Sequence, residues 1–326
     1  MKRRTFLRGL AASAIAAPAA ALAGAEGALA AGAAVQEVDA AAASYYVATT
    51  EQTKNKILVF PKNKAFSDAN VHWSFSPGGG GWSNLSDIKI RNTEAQGWIA
   101  LVAASGGRAG IVDIGSEKHT ELNDLKWSAS PGGNPHAIER VPGNGSVIVA
   151  SSGGKLTLYS PSSVSNLSTL KAVQTVSYGG AHGVLWDPTY ELLWVVGQNR
   201  VSHYAVMGSG RNTRLKYGRH FSLGSGNLGH DLQPDYTNKN KLLLTATKGV
   251  WELLTDSGNF RVRKISSETR VKSYVKHSSG EVVSIRGDNT EPRKWANKTV
   301  RFSASPDRSR SGAQFYKARI WTAAFQ

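Results

Sequence analysis

Three histidines recur at nearly equal steps: His136 in PHAIERVP, His182 in AHGVLWDP and His230 in GHDLQPDY, 46 and 48 residues apart. Imidazole is the side chain best suited to hold a divalent cation or to exchange a proton near neutral pH. Three at matching positions of a repeat could share one cation, each ring nitrogen about 2.0–2.2 Å from it. The same phase reaches Asp87 in SDIKIRN, 49 residues upstream, and Lys272 in KSYVKHSSG, 42 residues downstream. A further step of 45 reaches Lys317 in FYKARIW. The expectation is one ring of three imidazoles, a carboxylate and two ammonium groups. The expected metal ligands are His136, His182 and His230, with Asp87 or Asp231 completing the shell or orienting an imidazole. The competing expectation is that each His hydrogen-bonds a neighbouring repeat and fixes a central tunnel.

Each of these residues opens a short half-apolar run. A turn rich in Gly, Pro, Asn or Asp follows, and then a strongly apolar segment: WIALVAAS, SVIVASS, LLWVVG or KLLLTAT. A period of about 40–50 residues with several short strands per unit is the signature of a β-propeller. Six units account for the chain beyond about residue 45. The strands are enriched in β-branched and aromatic residues and bounded by turn formers. Near the N-terminus, YYVATT, KILVFP and NVHWSFSP supply three strands without an inner partner. FYKARIWTAAF has the alternation of that missing strand, so the two ends are expected to close one blade and remove the exposed sheet edges. The sixth unit is least regular: SYVKH, EVVSIR and TVRFSAS read as strands, but its outer strand has no clear pattern. GGGGW and GGN, ahead of two inner strands, read as turns, because no Lys-Ser/Thr and no helix follow them.

Composition narrows the setting. MKRRTFLRGL followed by an Ala-rich stretch resembles a twin-arginine export signal, with a small-residue cleavage site at Ala-Leu-Ala, residues 28–30. Residues 1–30 are therefore expected to be a signal peptide, 31–44 a linker and 45–326 a single propeller domain that is secreted. No later stretch is apolar enough to span a membrane. The chain has no cysteine, so stability must come from packing and sheet closure. Its formal charge is +16; the signal carries four Lys/Arg and one Glu, leaving +13 for the remainder. That balance favours an anionic partner, and a scattered basic surface without a recognition motif argues against nucleic acid. The protein is expected to be a monomer.

TEQTKNKILVF, NPHAIERVPG, AHGVLWDP, GHDLQP, VKS and FYKARIW in combination resemble a bacterial family of secreted domains of unknown function. The resemblance runs from about Tyr45 to the C-terminus and implies a β-propeller, but no activity.

The ring's composition points to acidic sugars. Neutralising a uronate carboxylate with a metal or with Lys/Arg acidifies the carbon beside it, and a His or Tyr then removes that proton. The expected catalytic residues are His136, His182, His230, Lys272, Tyr274, Lys317 and Arg319; Tyr274 is placed with Lys272 because alternate strand residues share a face. Asp87, Trp186, Gln233 and Tyr316 are expected to contact substrate. The reading is a metal-assisted polysaccharide lyase on an anionic polysaccharide. A glycoside hydrolase is the second enzyme reading; it needs two facing carboxylates, and only Asp87 with Asp231, Asp187 or Glu51 could supply them. A non-catalytic lectin or scaffold would instead use a rim of Trp82, Trp186, Trp251 and Trp295 to stack on sugars.

Overall fold

The computed structural model describes residues 43–326. The expected signal and most of the expected linker lie outside the described residues. Six sheets carry the repeat, and their inner strands contact one another in sequence around a ring, giving a six-bladed β-propeller. The inner strands are Leu85–Thr93, Pro135–Arg140, Ala181–Asp187, Gly229–Pro234 and Val271–Lys276 in blades two to six, and Phe315–Ile320 in blade one.

The second strand of each blade explains the apolar runs. Val147–Ser151, Leu192–Gly197 and Lys241–Ala246 are buried along nearly their whole length, because the faces of neighbouring blades cover both of their sides. Between blades four and five, Leu185, Trp194 and Val196 pack on Leu232, Leu242 and Leu244. Gly183 permits this approach: a Cβ there would stand 3.0 Å from the Leu232 backbone nitrogen and 2.8 Å from a Val196 methyl. The outer strands Arg214–Ser222 and Arg261–Ser266 are mostly exposed and rich in Lys and Arg, which discourages edge-to-edge pairing.

Closure is as the terminal patterns imply. Phe315–Ile320 pairs antiparallel with Tyr46–Glu51, matching Val47 to Ile320 and Thr49 to Ala318. The strand Trp73–Phe75 completes blade one, and a two-residue strand from the blade-two loop, His119–Thr120, adds to it in parallel. The outer strand of blade six, without a pattern in the sequence, is only Arg308–Ser309.

One irregularity recurs in every blade. Near its start, each inner strand carries a β-bulge against its neighbour: pairing jumps from Ala181 to Gly183, from Gly229 to Asp231 and from Val271 to Ser273. The residues left over are His182, His230 and Lys272, and by the same pattern Ser86 and His136. In blade one, Tyr316 and Lys317 face the single Thr50, whose hydroxyl accepts from the Lys317 N–H at 3.0 Å. Tyr316 is therefore the odd residue there. The true six-fold set is Ser86, His136, His182, His230, Lys272 and Tyr316. Asp87 and Lys317 fall one residue later, contrary to the expected phase.

Candidate functional site

Five of the six bulged residues, His136, His182, His230, Lys272 and Tyr316, line a pocket of about 350 Å³ at one end of the axis. Loops add Gln52, Asn84, Ser105, Asn134 and Trp295. The sixth, Ser86, turns away, its hydroxyl donating to the Pro135 carbonyl at 2.8 Å. The pocket lining contains no carboxylate.

The side chains form an arc. Lys272 Nζ donates to His230 Nε2 at 3.2 Å. His230 meets His182 edge-on, with centroids 5.5 Å apart and planes at 82°. His182 stacks on His136 at 4.3 Å, the planes only 13° apart, and His136 lies 6.0 Å from the Tyr316 ring. The Gly180 carbonyl, 2.8 Å from His182 Nδ1, fixes the proton there and leaves Nε2 as the basic nitrogen. His136 Nδ1 is buried without a hydrogen-bond partner. Trp295 stands 46% exposed at the mouth, its indole N–H donating to Gln52 Oε1 at 3.0 Å.

Below the pocket lies a buried ionic layer, and Asp87, Lys317 and Arg319 belong to it. Arg319 forks onto both oxygens of Asp231 at 2.8 and 2.7 Å and reaches Asp87 at 2.7 Å. Lys89 bonds Asp87 at 2.5 Å and the Ile138 carbonyl at 2.7 Å. Lys317 Nζ sits 3.3 Å from Asp231 and within 3.4 Å of the His136 and His182 carbonyls. Three cations thus face two carboxylates, and the layer stitches five blades together beneath the imidazoles. Burial alone would raise Asp87, but Lys89, Arg319 and Lys317 overcome it and hold the carboxyl below the ordinary range.

Electrostatics keep the imidazoles neutral. Burial, then Lys272, His182 and Lys317, push His230 down to about 2. Burial lowers His182 to about 4, with Lys317 and Lys272 adding to it and the Gly180 bond opposing. His136 is also held well below its usual value by burial and by the neighbouring His182 and Lys317. Burial, Arg270 and Lys317 bring Lys272 down to about 8. Burial raises the Tyr316 phenol above its ordinary value, and nearby Asp231 adds to this.

This arrangement does not fit a cation shared by three imidazoles. A ring nitrogen's lone pair lies in the plane of its ring, and the nearly parallel planes of His136 and His182 meet at no nearby point. The Lys272 ammonium occupies His230 Nε2, and its charge opposes a cation. Among the described residues, no group of three or more His, Cys, Asp or Glu is gathered for a metal.

Other expected residues lie elsewhere. Tyr274 does not share the pocket with Lys272, because the bulge at Lys272 breaks the alternation; it lies near Asp235 and Glu268. Gln233 and Trp186 sit three and four residues beyond His230 and His182, about 10–13 Å along their strands. Gln233 lines a narrow space with Lys89, Arg91 and Tyr236, and Trp186 a cleft with Pro142 and Glu191. Of the expected tryptophan rim, Trp82 and Trp186 are buried, Trp251 packs against the core between blades four and five, and Trp295 alone lines the pocket. Asn84, Ser105 and Asn134 were not signalled by the sequence, since lone polar loop residues carry no period.

A search of curated proteins found no significant match. Among solved structures, a protein of unknown function from Desulfotomaculum acetoxidans is similar at TM-score 0.52 and 11% identity, over 82% of this chain and 79% of that one. The WD40 β-propeller domain of Doa1 is similar at TM-score 0.49 and 12% identity, over 84% and 82%. At such identity the first likeness concerns the fold alone. The model of a family of unknown function, DUF6528, matches residues 35–324, and the chain belongs to that family.

Proposed function

We propose that the axial pocket takes a carboxylate-bearing sugar of an acidic glycan and that the protein is a polysaccharide lyase. The observation that supports this reading is the lining itself: an ammonium, three neutral imidazoles, a phenol and amides, with no carboxylate. Such a pocket repels no anion, and the negative charge it lacks is one the ligand brings. A glycosidase pair is poorly served, because Asp87 and Asp231 are buried in ion pairs below.

In this reading Lys272 pairs with the uronate carboxylate and acidifies the adjacent carbon. His182 Nε2 removes that carbon's proton, its basicity raised by the bound anion. The electron pair of the broken C–H bond forms a carbon–carbon double bond, and the neighbouring carbon–oxygen glycosidic bond breaks. The departing oxygen takes a proton from the Tyr316 hydroxyl, and proton return from His182 through solvent restores both residues. Trp295 offers a stacking face for the adjoining sugar.

The test is to incubate the purified protein with polygalacturonate, alginate and a glycosaminoglycan, with and without divalent cations. Ultraviolet absorbance of an unsaturated uronate, new reducing ends and equilibrium binding are followed in parallel. A lyase yields the unsaturated product, and His182→Gln lowers turnover by about 10²-fold or more while binding persists. Reducing ends without that absorbance would replace the reading with hydrolysis. Saturable binding without product would replace it with a lectin, and no binding at all would remove the glycan.

A further inference from the structure

At the far end of the inner strands, blades two and three leave a second cleft, of about 540 Å³. It is lined by Arg91, Asn92, Thr93, Glu94, Arg140 and Gly143 among others. Two guanidinium groups lie at its base, Arg91 5% and Arg140 6% exposed. Their circumstances differ. Arg91 forks onto Glu139 at 2.9 and 2.5 Å and also donates to the Ile90 carbonyl at 2.7 Å. Glu139 is thereby filled, since it also accepts the Arg140 backbone N–H at 2.8 Å and the Trp186 N–H at 3.4 Å.

The Arg140 guanidinium has no such partner. Its Nε is buried without a hydrogen bond, and none of its nitrogens is paired to a carboxylate among the described residues. Glu94, the acidic side chain in the lining, is exposed and makes no ion pair with it. Burial works against this charged guanidinium, the nearby Glu139 charge favours it and Arg91 opposes it, so it gains from an anion that enters the cleft. Guanidinium presents a planar fork of donors that matches carboxylate, sulfate and phosphate oxygens. Asn92, Thr93 and Gly143 around the cleft add neutral polar groups and room for the rest of a ligand.

We infer that this cleft is a second binding site, for an oxyanion group carried on a ligand that enters between blades two and three, with Arg140 as its principal contact. The site is separate from the axial pocket, standing about four strand residues, roughly 13 Å, farther along the inner strand that begins beside His136. It stands or falls independently of the lyase reading.

The experiment titrates the full chain with sodium sulfate, sodium phosphate and sodium acetate at constant ionic strength, reading heats of binding and thermal unfolding. A Lys272→Gln background removes the axial ammonium, so that the remaining signal reports the cleft. The expected result is saturable binding of at least one of the three anions, weakened at least ten-fold by Arg140→Met. The anion bound most tightly tells carboxylate from sulfate or phosphate. Arg140→Lys keeps the charge and loses the fork, so it should bind several-fold more weakly than the parent; it serves if the Met variant does not fold. Sulfate's general stabilising effect cancels in the comparison of variant with parent. Absence of saturable binding for all three anions, or binding undiminished in the Arg140 variants, overturns the proposal.

Discussion

Acidification should unfold this protein through the axial imidazoles, and His182→Gln isolates the effect. His182 is held at about 4 in the fold against an ordinary 6.5. Between those values the unfolded chain binds the proton and the folded chain does not. Stability from this residue is therefore complete above the ordinary value and declines as pH falls, until the folded-state group itself titrates. At about pH 5 the difference is roughly 1.5 units, or about 2 kcal/mol. His136 and His230 shift in the same direction. His182 and His230 together remove on the order of 4 kcal/mol at that pH, a large share of the 5–15 kcal/mol that holds a typical domain together, and His136 acts in the same direction. Glutamine keeps polarity and cannot titrate, so the variant's loss between neutral pH and about pH 5 should be smaller than the parent's by about 2 kcal/mol. Urea unfolding of both proteins at the two pH values measures it. Equal losses in parent and variant would refute the reasoning, because they would mean that His182 titrates alike in the folded and unfolded chains.

Further outcomes follow from the same layers. Arg319→Met leaves Asp231 with Lys317 alone and Asp87 without its second cation, and should destabilise by about 3–5 kcal/mol, read as a lower urea midpoint. Removing residues after Ser311 takes away the inner strand of blade one and should abolish cooperative unfolding; a monomeric truncation with an unchanged melting temperature would contradict the closure. Lys272→Gln should weaken binding of an acidic glycan, and should also raise the pH at which His230 takes up its proton, followed by NMR of the imidazole.

The fold was legible because a blade is a repeat. The period, the buried second strands such as LLWVVG and the matching terminal runs are all written in residue types. The three imidazoles and Lys272 were legible for the same reason, since all four hold the same bulged position. Asp87 and Lys317 were misplaced by one residue because a bulge shifts register without changing composition. In blades one and two the residue at the true position, Tyr316 or Ser86, sits beside a charged neighbour that attracts more notice. Tyr274 was misplaced by the same irregularity, which breaks the period of two. Arg140 gave no signal, because its lack of an acceptor depends on how Glu139 spends its oxygens on Arg91, a partner 48 residues away.

The bulge has one further consequence. A residue with no opposite number across the ladder answers to no pairing rule. Histidine, lysine, tyrosine and serine all occupy that position in this one molecule, while the strands beneath keep their register. The six positions are interchangeable seats around one table. A change of residue type at such a seat need not shift the register of the strands. Ser86, which has turned away to bond a backbone carbonyl, is a seat already vacated.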